Sequence, residues 1–348
     1  MSDFRIDKIT NRVGDAGTQI AGISTFSGTS GMQMPIGPTE YRGGRGRGIL
    51  VGGRTEPSST ETNIMEYIEI ATTGNSIDWG DYLHNIRSPG NCASTTRGVI
   101  MGGYYSGYTK NIGYVTISSK GGASWFGELT VGKGWTGSSN NETRGVNAGD
   151  WGTASPTNNL AYHIDFVTIA STGNGSDFGD LSFGRQCTCA TSSPTRGLWA
   201  GGATGPSPAT VSRNIIDYVT IATKGDAKDF GDTQVAGYGK AACSSGTRGL
   251  IAEAQTYPGP NVNTLSYVTI ATLGNAADFG DLTALQAYLG SCSSKTRGIF
   301  NGGSVSPTAT NIISYVTIST LGNAIDFGDM THTPEQTSAL SDSNGGLG

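Results

Sequence analysis

Residues 297–329 read RGIFNGGSVSPTATNIISYVTISTLGNAIDFGD. Arg297-Gly298 opens a short apolar run that stops at Gly302-Gly303. After a loop, YVTIST alternates Tyr and Thr against Val and Ile, the period of two that a pleated strand imposes on its side chains. Its β-branched residues suit such a surface. Gly322-Asn323 then marks a tight turn, and AIDFGD supplies one more strand.

The same order recurs along the chain. Arg-Gly followed by apolar residues appears at Arg47, Arg97, Arg144, Arg196, Arg248 and Arg297, with spacings of 50, 47, 52, 52 and 49. The aromatic of the alternating strand appears at Tyr67, Tyr114, Phe166, Tyr218, Tyr267 and Tyr315, with spacings of 47, 52, 52, 49 and 48. Two independent motifs that keep one period and strictly alternate define a repeat, and a repeat must be recognised before length is used to count domains.

Each unit holds four strands: one before the arginine, such as GSCSS around Cys292, the Arg-Gly segment, the alternating strand, and the strand after Gly-Asn. Four short strands, a Gly-Gly and a period near 50 predict an all-β, six-bladed kelch-like β-propeller. One such sheet cannot bury both faces alone, whereas stacked sheets can. Trp79, Trp125, Phe178, Phe230, Phe279 and Phe327 are expected to fill the blade interfaces. In register, the C-terminal THTPEQTSALSDSNGG aligns with the first strand of a blade that never follows. The expected layout is therefore an N-terminal arm over 1–45 and a propeller over 46–348, closed by pairing of about 338–344 with the blade begun near Arg47.

Composition agrees with many short strands and tight turns. The 348 residues include 55 glycines, and charged residues make up 14%, against roughly 25% in an average soluble domain. The net charge of −5, with Arg42, Arg45 and Arg47 as the one basic cluster, argues against a nucleic-acid binder. The N-terminus lacks an apolar signal region, and no run is long enough to span a bilayer. The expectation is a chain made in a cytoplasm that stays soluble or joins a soluble assembly, with no membrane insertion.

Familiar chemistry finds little support. Cys92, Cys243 and Cys292 each stand five residues before a repeated arginine and read as small buried apolar residues rather than disulfide partners. Cys187-Thr-Cys189 lacks the other ligands a zinc site needs. The recurring Asp-Phe-Gly lacks every other part of a kinase. The pairs Asp177/Asp180, Asp229/Asp232, Asp278/Asp281 and Asp326/Asp329 offer too few oxygens for calcium and are expected to cap neighbouring turn amides. His84, His163 and His332 occupy non-equivalent positions. The expectation is no catalytic residue, no cofactor and no metal.

Three groups of residues are candidates for function. The repeated arginines Arg47, Arg97, Arg144, Arg196, Arg248 and Arg297 would bridge each blade to the next, with the repeated Asp as a candidate acceptor, or else form a basic ring around the channel. Ile20, Ile23, Phe26, Met32, Met34 and Ile36 in residues 1–45 would dock the arm on another chain, or lie along the propeller's own flank. Loops of variable length between the two motifs carry Tyr104, Tyr105, Tyr108 and Tyr257, which are candidate contacts or surface filler.

The arm, ITNRVGDAGTQIAGISTFSGTSGMQMPIGPTEYRGGRGRG, and the repeated YVTIATLGNAxDFGDLT unit resemble kelch-like virion structural proteins of marine tailed phages, especially those infecting cyanobacteria. The resemblance covers nearly the whole chain; GGASWFGELT in the second blade and RGLIAEA in the fifth depart from it. It implies a virion component on the tail, baseplate or capsid exterior, with other virion proteins and copies of itself as partners. The alternative is a receptor-binding or lectin-like propeller whose loops touch host-surface glycan.

Overall fold

A computed structural model describes residues 26–27, 31–32, 46–56, 58–150, 162–204, 210–256, 259–305 and 308–347. The chain divides into two compact units, Met1–Arg42 and Gly43–Gly348. In the first, Phe26–Ser27 pairs antiparallel with Gly31–Met32. Ile20, Ile23, Met34 and Ile36, and the side chains of Phe26 and Met32, lie outside the described residues.

The second unit is a six-bladed β-propeller of four-stranded antiparallel blades. Blade 2 shows the plan: from the axis outward it runs Gly90–Ala93, Arg97–Met101, Asn111–Thr116 and Ser124–Glu128. Blades 3 to 6 begin with the inner strands Gly137–Asn140, Cys189–Ser192, Ala241–Ser244 and Gly290–Ser293. Blade 1 is built from both parts of the chain. Its inner strand, Ser338–Ser341, pairs with Gly48–Val51, and Pro334–Glu335 pairs with Arg54–Thr55. The six inner strands touch one another in a closed ring.

Six apolar clusters hold the ring, one at each junction. Each contains the aromatic of an outermost strand: Trp79, Phe126, Phe178, Phe230, Phe279 or Phe327, all 2–3% exposed. In blade 2 the expected Trp125 is instead 51% exposed. SWFGE carries two adjacent aromatics, and the one before Gly127 takes the interface while Trp125 occupies the place of the exposed Asp in DFG. That aromatic is the extra residue of a β-bulge. In blade 3, Ile164 faces Gly179 and Asp165 faces Asp177, so Phe178 has no cross-strand partner and turns into the junction. The same shift occurs in all six blades.

Two glycines per repeat let the blades approach. A Cβ on the Gly of Arg-Gly would fall 2.2–3.0 Å from the third inner-strand residue of the preceding blade, for example Cys92 against Gly145. A Cβ on the Gly after the bulge aromatic would fall 2.2–2.9 Å from the turn glycine of the next blade. That turn clasps its neighbour. Gly322 N donates to Phe279 O at 2.9 Å and Ala324 N to Asp281 O at 2.7 Å. Asn323 Oδ1 accepts from Asp281 N at 3.1 Å. Equivalent side-chain caps come from Asn75, Asn174, Asp226 and Asn275. The repeated Asp therefore offers its amide to the neighbour's turn, and the capping side chain is the turn's own Asn or Asp, the reverse of the expectation.

The Thr-Arg-Gly and Gly-Asn turns share one end of the ring, here the turn face, and the variable loops and blade connectors share the other, the loop face. On the turn face the C-terminus crosses the axis. Gly345 and Gly346 are buried against Asn140, Ser192 and Ser244, and Asn140 Nδ2 donates to Asn344 Oδ1 at 3.3 Å.

Candidate functional site

The six repeated arginines are set by the turn before them and lie half-buried on the turn face. Each donates through Nη1 to the carbonyl of an Ile in the next blade at 2.8–3.0 Å: Arg47 to Ile117, Arg97 to Ile169, Arg144 to Ile221, Arg196 to Ile270, Arg248 to Ile318 and Arg297 to Ile70. Each guanidinium also stands 4.5–5.0 Å from the ring centroid of its own blade's aromatic, Tyr67 through Tyr315. The acceptor is a main-chain carbonyl and not the repeated aspartate. A planar guanidinium can stack on a ring and still donate along its edge, which an ammonium cannot.

A second set of charges is buried nearer the loop face, and the sequence reading missed it. Lys133 meets Asp165 at 2.9 Å and Arg185 meets Asp217 at 2.8 Å, with all four side chains 0–1% exposed. His332 Nδ1 lies 3.1 Å from Glu66 Oε1. Burial alone would raise the Glu66 pKa, but hydrogen bonds from His332, Thr331 and Ser76 take it below the ordinary value. The acids stand just before the strand aromatic, where blades 5 and 6 carry Ser266 and Ser314. In blade 5 the carboxylate comes from Glu253, which replaces the first Gly of Gly-Gly, pairs with buried Lys240 and accepts from Ser266 Oγ at 2.7 Å. The departure RGLIAEA is thus a compensated substitution.

The loop face breaks the symmetry. Tyr104, Tyr108 and Trp135 pack mutually, with centroids 5.5–5.9 Å apart. The Arg87 guanidinium sits 4.5 Å from the Tyr104 ring and 5.4 Å from Trp135, with Nε 3.3 Å from Glu61. Tyr105 points away, 48% exposed, and stacks on His84 at 4.6 Å. Tyr257 lies outside the described residues. The structure therefore joins two of the four candidate tyrosines to Trp135 and Arg87, which the sequence did not single out, and leaves Tyr105 on the surface. Leu83, Tyr162, Phe183, Val211 and Leu285 are also exposed at this end.

Asp150 is buried beside this cluster. Its Oδ1 accepts from Gly134 N at 3.3 Å, and its side chain is fully removed from solvent. Burial pushes its pKa up to about 7, although nearby Lys133 pulls the other way. Burial also lifts Tyr108 to about 12, with Asp150 adding to it.

At the axis the loop face carries a ring of left-handed residues: Ser88, Trp135, Cys187, Gly239, Tyr288 and Gln336, with φ of 50–66°. Five main-chain bonds run round it: Trp135 N to Ser88 O, Cys187 N to Trp135 O, Ser88 N to Gln336 O, Gln336 N to Tyr288 O and Tyr288 N to Gly239 O, at 2.7–3.0 Å. The left-handed conformation costs a non-glycine residue about 1–2 kcal/mol, and at Ser88, Trp135, Tyr288 and Gln336 it aims the N–H at one neighbour and the C=O at the other. The ring bounds an axial cavity of about 150 Å³ that ends at Asn344.

No described residues assemble a reactive centre of familiar type. Among them no group of three or more His, Cys, Asp or Glu side chains is placed to hold a metal ion, and no helix is long and apolar enough to cross a membrane. The five cysteines are free thiols. Burial pushes Cys92, Cys187, Cys189 and Cys292 up to about 12 and Cys243 in the same direction, so each stays protonated at neutral pH and is a poor nucleophile. What the fold defines is a propeller whose repeated side chains bind blade to blade. Comparison with known proteins finds no family model and no curated protein that matches the chain.

Proposed function

We propose that this protein is a non-enzymatic structural component of a phage virion. In this reading residues 1–45 attach it to the particle, and the propeller decorates or braces the tail, baseplate or capsid exterior. The observation that carries the non-enzymatic part is that the repeated arginines and the buried acids are occupied in holding the fold: the arginines bridge blades, and Asp165, Asp217, Glu253 and Glu66 pair with Lys133, Arg185, Lys240 and His332. The loop face offers a partner the exposed Tyr105, Tyr162 and Phe183, and the turn face the exposed Trp125, Leu273, Leu321 and Ile325. The virion part rests on the resemblance of the arm and the GNAxDFGDLT repeat.

Immunogold microscopy of intact particles with an antibody to the propeller tests it. Label at a fixed place on head or tail, lost when residues 1–45 are deleted, is the expected result. Unlabelled particles from cells rich in the protein refute it.

A second reading, a lectin-like propeller that contacts host-surface glycan, is favoured by one observation: an aromatic surface offset from the repeat pattern, with Tyr105 beside the Tyr104–Tyr108–Trp135 cluster. It predicts saturable binding of the protein to host envelopes, weakened by Tyr105→Ala.

A further inference from the structure

Asp150 breaks the repeat without a partner to explain it. It stands where the other blades carry Gly53, Gly103, Gly202, Ala254 and Gly303. Glu253, the acid that breaks the same stretch in blade 5, is matched by Lys240. Among the described residues no cation pairs with Asp150. Gly134 N reaches its Oδ1, while Oδ2 has no hydrogen-bond partner although the side chain is fully buried. The charges that act on it are those of Lys133 and Asp165, so a third ionisable group is buried beside an ion pair that already balances.

That pair differs from its counterparts. In blade 4, Arg185 Nη1 donates to Asp217 Oδ2 at 2.8 Å, and in blade 5 Lys240 Nζ donates to Glu253. Lys133 Nζ donates instead to His163 O at 3.0 Å. It lies 2.9 Å from Asp165 Oδ2, yet that oxygen accepts no hydrogen bond. The lysine nitrogen therefore rests against the carboxyl group without the alignment of a hydrogen bond. The other oxygen, Asp165 Oδ1, accepts from Thr130 Oγ1 at 2.6 Å. Lys133, Asp165 and Asp150 are all shut off from solvent.

We propose that Lys133 and Asp165 condense into an isopeptide bond that ties the connector after blade 2 to the third strand of blade 3, with Asp150 as the acid that assists. A proton passes from the lysine ammonium to the carboxylate, a step that burial assists because it penalises ions. Nζ then attacks Cγ, and the charge that develops on Oδ1 meets the Thr130 hydroxyl. Asp150, which burial leaves protonated up to about pH 7, gives its proton to Oδ2 and recovers one from the nitrogen. One C–N bond forms, one C–O bond breaks, and Oδ2 leaves as water; no oxidant is needed. Fixed contact replaces a bimolecular encounter, and exclusion of water opposes the reverse reaction. Arg185, in the same place one blade on, holds its charge and cannot react. The bond forms once per chain, so it stands beside the non-enzymatic reading, and it depends on neither the virion nor the glycan proposal.

The test is intact-mass spectrometry of the denatured full chain. The wild-type protein is expected to be lighter by one water than its sequence requires, with Lys133 and Asp165 in one linked peptide after digestion. Lys133→Arg supplies the cation that blade 4 uses and should restore the full mass. Asp150→Asn keeps the shape without the acid and should slow the bond about a hundredfold, the lower end of general acid catalysis, leaving freshly purified protein mostly at full mass. Circular dichroism identifies folded variants; a purely structural Asp150 would move the melting temperature and not the mass. A wild-type chain of full mass overturns the proposal, and so does a missing water that persists in Lys133→Arg or maps to other residues. A folded Asp150→Asn chain that loses water as fast as the wild type overturns the role of Asp150.

Discussion

Gly280 and Gly322 have the same backbone conformation, φ +148° and +151°, but very different surroundings. A Cβ on Gly280 would fall 2.5 Å from Gly322 O and 2.6 Å from Gly322 C, whereas a Cβ on Gly322 would meet nothing within 4 Å. Alanine at either site carries the strain of a region that side chains avoid, about 1–3 kcal/mol. Only Gly280→Ala must also separate two blades by pushing main chain against main chain, an overpacking term of about 1–3 kcal/mol more. Gly322→Ala should therefore lower stability by about 1–3 kcal/mol and Gly280→Ala by about 2–6 kcal/mol, the difference belonging to the junction. Urea unfolding followed by tryptophan fluorescence reads both as midpoint shifts at constant slope. Equal losses, or a larger loss at Gly322, would refute the claim that close approach of blades, rather than turn conformation, requires glycine after the bulge aromatic.

Three further outcomes follow from the buried charges and the closure. Asp150 has a folded pKa raised to about 7 from 3.8, so the folded state holds a proton that the unfolded chain releases; its contribution favours folding below pH 4, falls as pH rises from 4 to 7, and is flat above. Asp150→Asn should remove that decline, seen as a smaller difference between melting temperatures at pH 4.5 and 8 than in the wild type. Lys240→Met leaves Glu253 buried without its cation and should destabilise by about 3–5 kcal/mol, while Lys240→Met with Glu253→Gln should recover most of that loss in the same urea assay. Deleting residues 334–348 removes the inner strand of blade 1, exposing Ile49, Leu50 and Val51, and should convert a cooperative melt into a broad, dye-binding transition; a sharp melt at the wild-type temperature would show that closure contributes little.

The fold was legible because two motifs keep one period, and the period of each strand exposes its burial. The junctions were less so. Trp125 stands in the expectation for Phe126 because SWFGE offers two adjacent aromatics; aligned on Gly127, the tryptophan falls on the exposed Asp of DFG and the phenylalanine on the bulge position. The buried acids were hidden for a different reason: Ile164 faces blade 4 and Asp165 faces Thr130 and Lys133 after blade 2, so strict alternation buries both, where in a sheet with one wet face it would send one to solvent. Their signal was present as the exchange of Glu66, Asp165 and Asp217 for Ser266 and Ser314 before the aromatic, together with Lys133, Arg185 or His332 in the preceding connector. The left-handed ring had no such signal. Trp, Cys, Tyr and Gln, which hold four of its six places beside Ser88 and Gly239, are not turn formers, and the conformation is imposed by six blades meeting at an axis, a property of the closed ring rather than of any local stretch.

Symmetry separates structure from function in this chain. A feature required by blade packing must appear at every junction, as the Arg-to-carbonyl bridge, the Gly pair and the edge-to-face aromatic pair do. A feature present once cannot be explained that way and must be justified by its own surroundings. Glu253 passes that test by pairing with Lys240. Trp135 does not need to be aromatic to close the ring, since Ser88, Gly239 and Gln336 hold the equivalent place, and a large half-buried ring in a strained conformation is a costly way to occupy it. Several residues that depart from the repeat gather at the loop-face end of the axis: Trp135 and Tyr288 on the ring, and Tyr104 and Tyr108 packed beside it with Arg87. Selection for a rigid scaffold alone would have no reason to place them together, which is why ligand binding at this end is the first activity to measure.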